Sequence, residues 1–75
     1  MKPSHAEPMP MQPMAIVLDY TNWKGERRDR RIMPLTLWFG VSEFHDEAQW
    51  FIRAVDLERN VMRDFALATI HGVQP

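Results

Sequence analysis

Apolar and polar positions alternate with a period of two in several short runs along the chain, the spacing expected of strands whose successive side chains point to opposite faces. The first run, Ala15 to Thr21, is rich in β-branched and aromatic residues and sets Ile16, Leu18 and Tyr20 on one face against Ala15, Val17 and Asp19 on the other. Asn22 to Glu26 reads as a turn, with Gly25 as the residue that tolerates a positive φ. A second strand is predicted from Arg27 to Ile32, resuming as Leu35 to Phe39. Pro34 lies between the two halves and has no N–H to give to a ladder, so a bulge or bend is expected there. Gly40 to Ala48 is polar and acidic and predicts a loop or short helical turn. Gln49 to Asp56 is the third strand, Leu57 to Asn60 a hairpin connection and Val61 to Phe65 the fourth strand. Over Ala66 to Val73 the pattern divides: the Ala-Leu-Ala opening favours a helical turn, whereas Thr69, Ile70 and Val73 suit a last edge strand. The predicted fold is mainly β, a small and strongly bent sheet or partly open barrel of about five strands with little helix.

Composition changes this picture at the amino terminus. Residues 1–13 hold four of the six prolines and three of the six methionines, which resists helix and sheet alike and predicts a disordered arm ahead of one domain over residues 14–75. A chain of 75 residues buries only about 60% of the surface its unfolded form exposes, so self-association would help it and a homo-oligomer is expected. The absence of cysteine excludes disulfides and thiolate chemistry. No apolar run nears the roughly 18 residues of a membrane span, and no signal-peptide core is present; a soluble cytoplasmic protein without a membrane partner is expected. The net charge of −1 conceals segregated signs, with Arg27, Arg28, Arg30 and Arg31 together and Glu43, Asp46 and Glu47 crowded further on.

Candidate chemistry follows from the arginines. Each of three predicted strands carries one beside apolar or aromatic residues, and Arg30, Arg53 and Arg63 are expected to converge on one surface suited to an anionic or planar ligand. Strand parity sends Arg30 and Arg31 to opposite faces and places Arg63 with Phe65. Tyr20, Trp23, Trp38 and Trp50 supply π faces, although core packing is the stronger expectation for Trp38 and Trp50, and Arg53 suits a salt bridge to Asp56 or Asp64. The Arg27 to Arg31 cluster also fits a charged strand edge that blocks strand addition. Glu43, His45, Asp46 and Glu47 match no compact ligand set, so neither metal nor cofactor is expected; His45 reads as a loop residue or a contact titrating near pH 6.5. With no serine framed by histidine and carboxylate and no glycine-rich phosphate loop, the chain is not expected to be an enzyme.

Tyr20, Gly25, Arg30, Ile32 and Pro34, then Trp50, Phe51, Ile52, Ala54 and Asp56, then Arg63, Phe65 and Ile70 form a spaced set by which the chain, from about Ile16 to Val73, resembles the WYL domain of bacterial and phage regulators. Tyr20, Gly25, Arg30, Ile32 and Pro34 look like the family's first strand, glycine turn and alternating Arg-aliphatic-Pro elements. Trp50, Phe51, Ile52, Ala54 and Asp56 match the naming motif, with Phe51 in place of the usual tyrosine. Arg63, Phe65 and Ile70 match its later positions, while Ala68 or Thr69 stands where many members have another arginine. The resemblance implies an Sm-like or SH3-like β-barrel acting as a ligand-sensing or oligomerisation module in transcriptional or defence regulation, with single-stranded nucleic acid among its ligands. Most relatives follow a winged helix-turn-helix, for which this chain has no room, so action through a partner regulator protein is expected. The expected ligand site is Tyr20, Arg30, Trp50, Phe51, Arg53 and Arg63, with rim contacts from Arg31, Trp38 and His45. The competing expectation is an interaction or oligomerisation module without a small ligand, such as a phage or mobile-element accessory protein.

Overall fold

The computed structural model describes residues 14–75 and contains five strands, β1 (Ile16–Thr21), β2 (Arg27–Ser42), β3 (His45–Asp56), β4 (Val61–Ala66) and β5 (Ile70–Gln74), with a 3₁₀ turn at Leu67–Thr69. All pair antiparallel in one sheet of order β4-β3-β2-β1-β5. Both alternatives for the carboxyl end are realised in succession, the turn first and the edge strand after it. The expected arm over residues 1–13 lies outside the described residues.

Local chemistry sets the turns. Asn22 organises the first: its side-chain oxygen accepts from the N–H groups of Lys24 and Glu26, both at 2.9 Å, and Gly25 adopts φ +83°. Asp56 organises the β3–β4 turn by accepting from the N–H groups of Glu58 and Arg59 at 3.0 and 3.2 Å, and Asn60 closes it in the left-handed region at φ 57°. Beside the first turn, Arg27 Nε and Nη2 donate to the Asp19 carboxylate at 2.9 and 2.8 Å, and these bonds hold that carboxyl below its usual range.

Two expectations are corrected. The segment from Gly40 to Ala48 is not a loop: β2 and β3 continue as a ribbon to the pair Ser42 and His45, leaving Glu43 and Phe44 as the connection. Acidic side chains are tolerated there because that end of the ribbon is largely open to solvent. The β-barrel that the family resemblance implies is also open here, since β4 and β5 remain unpaired edges among the described residues. The sheet nevertheless bends far enough for β1 to meet β4, three places away in strand order. Tyr20 and Phe65 pack edge to face at 5.0 Å, and the Ala66 N–H donates to the Tyr20 hydroxyl at 3.3 Å. A register shift between Pro34 and Thr36, where Leu35 is the extra residue, falls where the missing proline N–H predicted it.

Burial follows from the bend. Leu18, Tyr20, Ile32, Ala54 and Phe65 form the main cluster, flanked by Ile16, Ile52 and Ile70. Phe51 alternates with Ile52 and so points to the other side of β3, where it is fully buried against Trp38 at 4.7 Å and His45 at 5.4 Å. Gly40 is required by this second cluster, because a Cβ there would lie 2.8 Å from the Trp38 ring. Among the described residues no helix is long and apolar enough to cross a membrane.

Candidate functional site

Arg30 is the arginine that the fold buries. It pairs in register with Leu18 and so points to the core side, 5% exposed, a costly place for a guanidinium. Register explains its company. Ile32, two residues on, lies opposite Asp56, and Ala54 lies opposite Arg63, so Arg30, Asp56 and Arg63 emerge from three neighbouring strands on the same side. Arg63 Nε is 3.2 Å from Asp56 Oδ2 and Arg30 Nη1 is 3.9 Å from it, without the alignment of a hydrogen bond in either case. Asp56 is fully buried, and its other oxygen is committed to the turn amides.

The carboxylate therefore serves two arginines incompletely. Arg30 Nε is buried and has no hydrogen-bond partner. Burial foremost, then the like charges of Arg28 and Arg59, hold the Arg30 guanidinium below its ordinary range; Asp56 opposes them and Arg63 adds to them. A site that already disfavours its own cation is one that an incoming anion stabilises.

Arg30 and Arg63 open onto a cleft of about 690 Å³ between β4, the β1–β2 turn and the β2–β3 connection. Lys24, Arg28, Arg30, Arg59 and Arg63 line it against Glu26, Glu43 and Asp64, an excess of two positive charges (five less three). Arg28 is held only by a long 3.5 Å bond to Glu58, and Asp64 is already engaged on the far side. Tyr20 and Phe65 line the cleft as well, and Trp23 and Phe44 stand in its wall, stacked on one another at 5.1 Å and 12°.

The expected convergence of three arginines is met by two. Arg53 lies opposite Asp64, on the other face from Arg63, where its Nε donates to Asp64 Oδ1 at 3.0 Å and its guanidinium lies 5.3 Å from the Trp38 ring. Trp38 Nε1 donates to the same oxygen at 2.7 Å, which makes Trp38, Arg53 and Asp64 a self-satisfied structural group. Of the other expected site residues, Phe51 is buried in packing, and Tyr20 is buried with its hydroxyl bonded to backbone. Trp50 is 52% exposed and packs edge to face on Phe39, away from the cleft-lining residues. Arg31 is exposed and alternates away from Arg30. His45 begins β3 rather than sitting in a loop; it lines the cleft and has Nδ1 3.1 Å from Ser42 Oγ.

Arg28, Asp56 and Arg59 were not among the expected site residues. Arg28 was legible, since it shares a strand face with Arg30 at a spacing of two. Asp56 was legible in part, as an acid in an apolar strand position before a turn. Arg59 carried no such signal, because its place depends on how the β3–β4 turn folds over the sheet.

No curated protein and no solved structure matches the chain. The family model of the WYL domain matches residues 11–75, nearly the whole chain. WYL domains are ligand-sensing regulatory modules rather than catalysts. An open five-stranded sheet with an arginine and acid cluster at the sequence positions that resembled the family's motifs agrees with that match, and the chain belongs to the WYL-domain family.

Proposed function

We propose that this domain senses a nucleic-acid-derived anion, a short single-stranded oligonucleotide, and relays its presence to a partner protein in transcriptional or defence regulation. The observation that carries this reading is the buried, unpartnered Nε of Arg30 behind a cleft lined by four further cations. Positive charges contributed by separate segments around the cleft suit a chain of phosphates better than a single compact anion. Arg28, Arg59 and Arg63 provide the accessible contacts, and Arg30 supplies a fixed positive field beneath them.

Phosphate neutralisation has a measurable signature. For three contacts on a single strand, the log of affinity is expected to fall with the log of salt at a slope of roughly −2, about −0.7 per phosphate. Fluorescence anisotropy with labelled oligonucleotides between low and moderate salt reads this directly. Arg63→Ala removes one contact and flattens the slope by roughly 0.7, whereas Arg53→Ala, on the other face, leaves it unchanged. Absence of binding at low salt, or an equal effect of both substitutions, rules the reading out.

A second reading, association through a protein surface, is favoured by one observation. Leu37, Phe39 and Val41 on β2 and Trp50 on β3 are each more than half exposed, and the pairs Leu37–Ile52 and Phe39–Trp50 lie on one face of the ribbon. That strip carries no charge, which suits a second copy of itself across a two-fold axis. With aromatic side chains of about 150–250 Å² each, two such strips would bury on the order of 1,000 Å², the lower bound of a specific interface. Sedimentation is then expected to show a dimer that Phe39→Ser converts to monomer. A monomer at all concentrations removes this reading.

A further inference from the structure

Trp23 and Phe44 come from two different turns, each is 55% exposed, and yet their rings meet in parallel at the cleft wall. Core packing does not account for exposed rings in this arrangement. The Lys24 ammonium lies 5.5 Å from the centre of the Trp23 ring, and no carboxylate pairs with it among the described residues. An electron-rich indole face is thus occupied by a weakly held, strongly hydrated cation beside a cleft rich in arginine.

We propose that Trp23 is the base-stacking platform of this domain: a nucleobase of the bound strand takes the place of the Lys24 ammonium over the indole, extending the Phe44–Trp23 stack. This rests on the proposed oligonucleotide reading and adds to it the part of the ligand that phosphate contacts cannot recognise. The exchange suits both groups. The base gains a π face already held parallel to a second ring, and the displaced Lys24 ammonium regains its full hydration in solvent. Because every base presents a π face, the platform selects for the presence of bases rather than for a sequence.

The test compares two probes with the same phosphates, a short single-stranded oligothymidylate and an abasic oligonucleotide of equal length. Trp23→Ala is expected to weaken oligothymidylate binding roughly 5- to 150-fold, the range for loss of one stacked base. It leaves the salt slope and abasic binding unchanged, and Trp23→Phe restores most of the lost affinity. Trp23 is exposed, so the variant is expected to fold, and far-ultraviolet circular dichroism checks this. Equal losses for both probes, or unchanged oligothymidylate binding, overturn the platform while leaving the phosphate reading intact. If the wild-type protein binds neither probe at low salt, both proposals fall together.

Discussion

Asp56→Ala is expected to lower the stability of the domain by about 3–5 kcal/mol, the cost of breaking a buried ion pair by removing one partner. The two arginines respond differently. The Arg63 side chain is 41% exposed and turns to water, but Arg30 is enclosed and keeps an uncompensated charge. The two N–H groups that Asp56 accepts in the β3–β4 turn also lose their acceptor. Asp56→Asn retains an oxygen for those amides while removing the charge, so its smaller loss apportions the effect between turn and ion cluster. Domains of this size are stable by about 0.05–0.15 kcal/mol per residue, so the alanine variant consumes a large part of the total. Urea midpoints at constant slope measure both variants. A loss below about 1 kcal/mol for Asp56→Ala would show that the cluster contributes little to the fold.

Phe51→Ala is the second large effect, also expected at about 3–5 kcal/mol, through lost burial and the cavity left behind. Phe51 is fully enclosed between Trp38 and the His45 edge, and Trp38 in turn holds Asp64 through its indole N–H. Truncation loosens the Trp38, Arg53 and Asp64 group along with the ring contact itself. Its neighbour gives the internal comparison. Trp50 is 52% exposed on the opposite side of the strand, so Trp50→Ala is expected to cost less than about 1 kcal/mol in the monomer. Equal losses for these adjacent residues in thermal or urea unfolding would contradict the burial of one and the exposure of the other.

These two predictions separate structural from ligand-facing roles inside a single motif. Trp50, Phe51, Arg53 and Asp56 sit within seven positions, yet they serve an exposed apolar strip, a packed ring cluster, a surface salt bridge and a buried ion cluster. Alternation divides them two by two between the faces of β3. The bend of the sheet then decides how deeply each is covered. Neither side of the strand is uniformly core or solvent.

Strand number, the Asn22 to Glu26 turn, the interruption near Pro34 and the β3–β4 hairpin were legible because local stereochemistry dictates them: pleat periodicity, positive φ at Gly25 and a missing N–H at Pro34. Parity alone also placed Arg30 apart from Arg31, and Arg63 with Phe65. The extension of β2 and β3 through the acidic segment was not legible, because polarity argued for a loop while cross-strand pairing of Phe39 with Trp50 supported a ribbon. The sequence by itself determined a five-stranded, family-typical β domain with arginines on alternating faces. Only the tertiary structure decided which arginines meet, since that depends on the register among β2, β3 and β4, where a shift of one residue would exchange Arg63 for Asp64 beside Asp56. It alone also decided that Trp23 and Phe44 touch, because two turns distant in sequence approach only when the sheet bends.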